Sequence, residues 1–288
     1  MSALATFAED NGITVVQGTG QSTLDETDRA EIGRLLCSAG ALWFKGFRID
    51  GPGFAETALA FCDGFHLDPN RDEIAGLPPY IRSITKGVAA EQLHSELTST
   101  QHRPEIIWFY CAVPAEVGGE TRLCDGAKVW DCLGAQAKGF FEGRRVIYHR
   151  RNRIISGEEA EQWRDVSAGA SKVILRSVDG DRYELAWAVP TINVGLDGRP
   201  AFANGLITDS YERCAVVLED GSRLPVAFWE EAVRAARSVQ TKARLESGQF
   251  LMLDNLRFMH GRTPVHRIYN RVFYAAVADK LRDQYRLP

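Results

Sequence analysis

The stretch that decides the fold lies near the C-terminal end, 247-SGQFLMLDNLRFMHGRTPVHRIYNRVFYAAV-277. Residues 249–255 and 271–279 are apolar runs rich in strand-forming residues, so each predicts a β-strand. A turn-like Leu-Asp-Asn closes the first run, His260 follows it, and Arg271 opens the second run. The pattern therefore predicts neighbouring strands that carry a histidine and an arginine near their ends.

Further strands are predicted upstream of this stretch. Residues 106–113, Ile-Ile-Trp-Phe-Tyr-Cys-Ala-Val, form a continuous apolar run, as does the shorter run 41–47. Continuous runs of this length are typical of strands buried on both faces. Residues 118–126, Gly-Gly-Glu-Thr-Arg-Leu-Cys-Asp-Gly, are expected to form a glycine-punctuated connection.

Helices are predicted at the start of the chain and once near its end. Residues 22–40 combine capping residues, one apolar face and Gly40 as a C-cap, and residues 52–65 place a proline near a second helix start. Residues 226–248 predict a long amphipathic helix that ends near Gly248. The fold class expected is mainly β with peripheral helices (α+β).

The chain is expected to be one domain over residues 1–288 because no repeat, low-complexity segment or linker interrupts it. Within it, residues 1–80 predict a helical and strand extension, and residues 81–288 predict a barrel with a lid insert. A length of 288 residues allows a large hydrophobic core.

Composition restricts the partners. The net charge is −4 without a basic stripe, so we expect no nucleic-acid partner, and no segment predicts membrane binding. The first residues lack the features of a signal peptide, and six cysteines lack CxxC spacing. We therefore expect a cytoplasmic protein with reduced thiols and a small-molecule substrate. A homo-oligomer is compatible with the sequence.

His94-Ser95-Glu96 is the first candidate site. If this segment is a strand, the side chains at i and i+2 point to the same face and can bind one metal together. A His-x-acid pair is a weak signal alone, because two solvated polar residues on a surface strand give the same pattern.

His260 strengthens this candidate site. Two neutral imidazoles and one carboxylate form a facial triad, which suits Fe(II) and leaves one face open for substrate and O2. Arg271 supplies a permanently charged fork, and a buried arginine requires an anion such as the dicarboxylate 2-oxoglutarate. Asp254 and Asn255 are expected to shape the turn before His260 through side-chain-to-backbone hydrogen bonds.

Taken together, these residues resemble the TauD/TfdA superfamily of Fe(II)- and 2-oxoglutarate-dependent dioxygenases. The matching pieces are His-Ser-Glu at 94–96, the run from 106 that leads into Gly-Gly-Glu-Thr at 118–121, and Met-His-Gly-Arg at 259–262 followed by Arg271. The resemblance covers roughly residues 80–280. Glutamate in place of aspartate makes the chain more similar to the clavaminate synthase-like branch.

The resemblance implies a double-stranded β-helix, a jelly-roll barrel. It also implies that His94, Glu96 and His260 ligate iron, while Arg271 and Thr121 bind the distal carboxylate of 2-oxoglutarate. The implied reaction couples oxidative decarboxylation of 2-oxoglutarate, to succinate and CO2, with hydroxylation of an unactivated C–H bond. Desaturation and ring closure are variants within the family, and its substrates include amino acids, their derivatives and natural-product intermediates.

Two alternatives remain open on the residues. A zinc hydrolase can use the same three ligands, although Thr121 and Arg271 then have no task. A ligand-binding barrel without catalysis is the other alternative.

The remaining histidines and arginines predict less. His66 and His149 are interpreted as structural, and His102 and His266 as solvated loop residues. Arg262 could brace the site or form a salt bridge at a turn. The arginines at 144, 145, 150, 151 and 153 are interpreted as a solvated face, with a substrate clamp as the alternative.

Overall fold

The computed structural model describes residues 5–10, 12–84, 87–100, 102–148, 153–168, 170–214, 216–266 and 271–287. His149, Arg150 and Arg151 lie outside these residues. Within the described part of the chain, no helix combines the length and apolar character needed to cross a membrane.

The described residues contain six α-helices. They are α1 Glu26–Ala39, α2 Gly51–Phe61, α3 Gly126–Cys132, α4 Ala135–Phe141, α5 Gly157–Trp163 and α6 Val226–Val239. The predicted caps of α1 are present: the Asp25 side chain accepts from the Asp28 backbone N–H, and Gly40 is left-handed at φ 76°.

Strands make up most of the regular structure. They are β1 Ala5–Asp10, β2 Ile13–Gln17, β3 Ala41–Lys45, β4 Cys62–Phe65, β5 Arg82–Ser83, β6 Glu91–His94, β7 Ile106–Val113, β8 Thr121–Asp125, β9 Arg145–Tyr148, β10 Arg153–Ser156, β11 Ser167–Ala168, β12 Ser171–Asp179, β13 Arg182–Pro190, β14 Asn193–Val194, β15 Pro200–Ala201, β16 Val216–Leu218, β17 Gln240–Ala243, β18 Phe250–Asp254, β19 Phe258–Arg262 and β20 Val272–Leu281.

The main sheet has the order β1-β2-β3-β18-β7-β20-β4, with β5 also paired to β20. Its central strands are buried on both faces, which explains their continuous apolar runs. On β7, Trp108 packs toward α1 and α2 in one core cluster, whereas Ile107 and Phe109 face a second cluster. The strands predicted at 41–47, 106–113 and the C-terminal end are confirmed.

A smaller sheet, with the order β17-β8-β19-β6, covers the other face of the main sheet. Leu123 and Phe258 from this sheet share a core cluster with Phe109 and Leu251 from the main sheet. Two sheets packed face to face form the jelly roll expected from the resemblance, so the mainly β, α+β fold class is confirmed. The sheet order also places His260 on β19 beside β6, which ends at His94.

A third sheet, β11-β12-β13-β9-β16 with β10 paired to β13, comes from residues between the two halves of the barrel. Its strand β9 packs with α3, α4 and α6 in a separate core cluster that includes Val146, Phe141 and Phe202.

Four predicted elements differ in the structure. The helix expected over 52–65 ends at Phe61, because Cys62–Phe65 pairs with β20 as the edge strand β4. The helix expected over 226–248 ends at Val239, because Gln240–Ala243 pairs with β8 as the edge strand β17. The connection expected over 118–126 contains β8 itself, with left-handed Gly118 and Gly119 as its turn. The segment 94–96 is a strand only as far as His94.

Candidate active site

Strand pairing brings His94 and His260 together. Their Cα atoms are paired across β6 and β19, and their ring centroids lie 4.5 Å apart. Glu96 lies beyond the end of β6, yet its Oε2 is 3.8 Å from Nε2 of His260. One ligand atom from each of the three residues lies within 4.8 Å of the others. The structure therefore brings the three residues together, although not through the extended strand expected from the sequence.

Asn255 positions Glu96 through hydrogen bonds to the backbone of the segment that carries it. The Glu96 backbone N–H donates to Oδ1 of Asn255 at 2.7 Å, and Nδ2 of Asn255 donates to the carbonyls of Glu96 and Pro104 at 3.1 and 2.9 Å. Asn255 is fully buried, so these bonds are shielded from water. The interpretation that Asn255 shapes its own turn was wrong, since its side chain reaches the segment that carries Glu96. The part concerning Asp254 is confirmed, because its carboxylate accepts from the Leu256 backbone N–H.

Arg71 is a site neighbour that the sequence analysis missed. Its Nη2 donates to Oε2 of Glu96 at 2.8 Å, and its Nε lies 3.1 Å from Oδ2 of Asp68. The ion pair with Asp68 orients the guanidinium, which in turn holds one oxygen of Glu96. No local motif signals this contact, because it depends on the path of the connection between β4 and β5.

Both imidazoles are set in a form that can bind a metal. Nδ1 of His94 lies 2.9 Å from the Gln92 carbonyl, which fixes the proton on Nδ1 and leaves the Nε2 lone pair available. Burial, and then the neighbouring His94 and Arg71, lower the pKa of His260 well below its usual range. His260 is therefore neutral in its buried position, where its ring packs against Phe109 at 4.9 Å between centroids.

Arg271 lies immediately before β20 and is 4% exposed. Its Nη1 donates to the Ile84 carbonyl at 3.1 Å, and its guanidinium carbon lies 4.0 Å from the Phe273 ring centroid. Its Nε is buried and has no hydrogen-bond partner among the described residues. Burial, together with neighbouring Arg262, lowers the pKa of Arg271 to about 10. A buried guanidinium in this state requires an anion.

Thr121 begins β8 on the Arg271 side of the barrel. It is 8% exposed, and its Cα is paired with that of Arg262. Gly119, two residues earlier, lies beside the guanidinium, because a Cβ there would be in van der Waals contact with Nε of Arg271 at 3.5 Å. Arg262 donates to the Ala89 carbonyl and pairs with Glu91 at 3.2 Å. The start of β8 therefore lies close to the guanidinium groups of Arg271 and Arg262.

The larger surface cavities have volumes of about 380 to 530 Å³. The cavity of about 530 Å³ opens beside His94. Its lining includes Gln92, Tyr148 and Arg213. Burial raises the pKa of Tyr148, whose hydroxyl accepts from the Gly205 backbone N–H at 3.0 Å. The walls come from residues that are far apart in the sequence: part of the segment 91–99, Tyr148, and residues between Gly205 and Val216.

The other predictions separate into two groups. Exposed His266 confirms the loop interpretation, and Arg144, Arg145 and Arg153 lie at the surface, where Arg145 and Arg153 pair with glutamates. His66 and His102, in contrast, lie beside Asp279 and one another, a grouping that their sequence positions did not indicate.

Comparison with known proteins gives an independent result. Residues 6–276 match the family model described as "Taurine catabolism dioxygenase TauD, TfdA family". The match begins well before residue 80, where the resemblance seen in the sequence began.

Individual relatives agree with the family model. A clavaminate synthase-like protein of Arabidopsis thaliana is 22% identical over 279 residues, which cover 83% of this chain and 82% of that protein. The crystal structure of a taurine dioxygenase from Burkholderia xenovorans superimposes with a TM-score of 0.64 at 15% identity, covering 96% of this chain and 88% of that one. AAD-2 in complex with Mn(II) and N-oxalylglycine gives a TM-score of 0.64 at 12% identity, covering 97% and 98% of the two chains.

Proposed function

The chain belongs to the TauD/TfdA family of dioxygenases, and within that family we propose that it uses Fe(II) and 2-oxoglutarate to hydroxylate an unactivated C–H bond of a small molecule. Succinate and CO2 are the coproducts. The substrate class is an amino acid, an amino-acid derivative or a natural-product intermediate. The observation that carries the proposal is the convergence of His94, Glu96 and His260 in the same barrel that buries Arg271.

The donor set fits ferrous iron. Two neutral imidazoles and one carboxylate are the ligands that non-haem Fe(II) oxygenases use, and three protein ligands leave coordination positions open. His94, Glu96 and His260 hold the metal in this proposal. When bound, iron and 2-oxoglutarate together activate O2 and supply the oxidising chemistry. The protein fixes the position of Glu96, because Asn255 binds its backbone N–H and Arg71 binds its carboxylate.

The buried arginine fits the cosubstrate. Arg271 binds the distal carboxylate of 2-oxoglutarate in this proposal, and the Thr121 hydroxyl donates a second hydrogen bond to it. The unbonded Nε of Arg271 and its lowered pKa support this assignment, since a carboxylate would satisfy both the donor and the charge. AAD-2, which holds Mn(II) and N-oxalylglycine, provides a precedent in the same fold for a divalent metal together with a small dicarboxylate.

The cavity beside His94 supports a small substrate. Its volume of about 530 Å³ is within the range of small-molecule sites, and His94 forms part of its wall. Residues of this wall orient the substrate so that one C–H bond faces the metal and water is excluded. Arg213 and the Tyr148 hydroxyl offer polar contacts to a substrate in this position.

The two alternatives leave observed features unused. A zinc hydrolase uses the three ligands but gives no role to a buried Arg271 without a carboxylate partner among the described residues. A ligand-binding barrel without catalysis gives no role to the buried, neutral His260 or to the hydrogen bond that orients the His94 ring.

Anaerobic addition of Fe(II) and 2-oxoglutarate to the metal-free protein tests the proposal. A weak visible charge-transfer band is expected, because the keto acid chelates iron; a zinc hydrolase or a binding barrel gives none. Succinate release is then measured with and without each candidate substrate, and a compound-dependent increase identifies the substrate. Absence of both the band and succinate release across amino acids and their derivatives contradicts the proposal.

A further inference from the structure

A second group of two histidines and one carboxylate lies on the outer edge of the main sheet. His66 directly follows β4, and its backbone N–H donates to the Val277 carbonyl of β20 at 2.9 Å. Asp279 lies near the end of β20, and His102 lies in the connection between Glu96 and β7. Three separate segments of the chain therefore meet at this point.

Short distances connect the three side chains of this group. Oδ1 of Asp279 lies 2.6 Å from Nε2 of His66 and 3.3 Å from Nε2 of His102. The two imidazole centroids are 5.9 Å apart, with an angle of 33° between the rings. One ligand atom from each of the three residues lies within 4.8 Å of the others, as in the group formed by His94, Glu96 and His260.

Two atoms at the centre of the group lack hydrogen bonds. Nε2 of His66 and Oδ1 of Asp279 are shielded from solvent, and neither has a hydrogen-bond partner among the described residues, despite their close approach. Shielded polar atoms in native proteins are normally satisfied. A divalent cation bound by both atoms would satisfy them; it would replace their direct ion pair and move the two atoms slightly apart.

The backbone makes room for the carboxylate. Gly64 has a φ of +66°, and a Cβ at this position would lie 2.5 Å from Oδ2 of Asp279. A side chain at residue 64 would therefore be strained and would also displace the carboxylate. Gly64 therefore leaves space for the Asp279 carboxylate, and the pairing of β20 with β4 fixes the Asp279 backbone.

We propose that His66, His102 and Asp279 form a second metal site, for a divalent ion of the zinc class. Two imidazole nitrogens and one carboxylate oxygen suit Zn²⁺, which takes a fourth ligand from solvent at such a site. A cavity of about 310 Å³, lined by His66 and His102, gives the ion access. This site is independent of the proposed oxygenase function.

The site would connect two parts of the fold. Glu96 also lines the same cavity, and His102 lies on the segment whose ends at Glu96 and Pro104 are both bonded to Asn255. A metal bound by His102 and Asp279 would link this segment to β20. The expected role is structural, because it stabilises the connection that carries Glu96 without contacting the cavity beside His94.

Zinc titration of the metal-free, full-length protein tests the site. Calorimetry is run on the wild type, on His94→Gln/His260→Gln, on His66→Gln/His102→Gln and on the quadruple variant. We expect two equivalents of Zn²⁺ for the wild type, one for each double variant and none for the quadruple variant. Zinc should also raise the Tm of His94→Gln/His260→Gln, and not that of the quadruple variant. Circular dichroism confirms that each variant is folded, and Asp279→Asn replaces His66→Gln/His102→Gln if that double variant is not.

Other results overturn the proposal. If His94→Gln/His260→Gln binds no zinc, or if His66→Gln/His102→Gln binds as much as the wild type, the outer group is only a set of ion pairs. Failure of the oxygenase proposal gives a different pattern, because the charge-transfer band would be absent while the His66 and His102 variants still lose one equivalent of zinc.

Discussion

Among the described residues, two groups have the same donor set and different surroundings. The inner group is buried, with His260 4% and Glu96 7% exposed, and it adjoins a cavity of about 530 Å³. The outer group is at the surface, where the His102 side chain is 57% exposed. Two imidazoles and a carboxylate can therefore be brought together twice in one fold, and the ligand set alone does not determine the chemistry.

The neighbours of each group account for the difference. Glu96 is held by Asn255 and Arg71, and buried Arg271 supplies a positive charge that lacks a carboxylate partner among the described residues. In the outer group, Gly64 lies beside the Asp279 carboxylate, and the His102 side chain is exposed to solvent. Binding of a cosubstrate and exclusion of water require the first arrangement, whereas a structural ion requires only ligands.

The largest effect expected is loss of the inner metal. His260→Ala removes one of three ligands and should weaken Fe(II) binding by more than about 100-fold, the upper end of the range for residues that only orient ligands. The charge-transfer band with 2-oxoglutarate should disappear. His66→Ala is the matched control, and it should retain the band. If both variants behave alike, the distinction between the two groups is wrong.

The next effect concerns the cosubstrate. Arg271→Leu should cost about 2–5 kcal/mol of 2-oxoglutarate binding, at least roughly 30-fold in Kd, because a buried charge partner is lost. Iron binding without 2-oxoglutarate should be little changed. Arg182→Leu, at a surface ion pair with Asp179, is the control and should bind 2-oxoglutarate normally. Calorimetric titration of the manganese-loaded protein measures both, and an unchanged Kd for Arg271→Leu contradicts the assigned role.

A smaller effect is expected at Asn255. Asn255→Leu removes three buried hydrogen bonds to Glu96 and Pro104, so Fe(II) affinity should fall about 10- to 100-fold and the Tm should decrease. Asn193→Leu removes a hydrogen bond to the Ala203 carbonyl and serves as the control. Iron titration and thermal melts follow both variants. A lower Tm with unchanged iron affinity would mean that Asn255 supports the fold without positioning Glu96.

The smallest effect concerns the outer group. Gly64→Ala and Gly76→Ala both place a side chain on a left-handed backbone, at a cost of about 1–2 kcal/mol each. Only the first brings a Cβ against Asp279, whereas nothing lies within 4 Å of a Cβ at residue 76. Zinc binding to the outer group should therefore weaken in Gly64→Ala alone. Equal zinc affinities for the two variants would show that Gly64 does not position the carboxylate.

Much of the fold could be predicted from local patterns. The caps of α1 and the apolar runs of β7, β18 and β20 depend on backbone geometry and burial, which the sequence expresses directly. The helix expected over 226–248 was too long, because its helical period ends at Val239 and the next four residues satisfy their backbone by pairing with β8. Pairing with a distant strand leaves no local signal.

The candidate site, like the fold, could be predicted from the sequence only in part. The sequence by itself determined the kinds of side chain present: two imidazoles, one carboxylate and a permanently charged guanidinium, which together suit a ferrous oxygenase. Only the tertiary structure decided that Arg71 and Asn255 hold Glu96, and that His66, His102 and Asp279 meet on the outer edge of the sheet. The physical reason is that side-chain type and backbone period are local properties. The contacts of Glu96 with Arg71 and Asn255, which lie 25 and 159 positions away, depend on how the sheets and their connections pack.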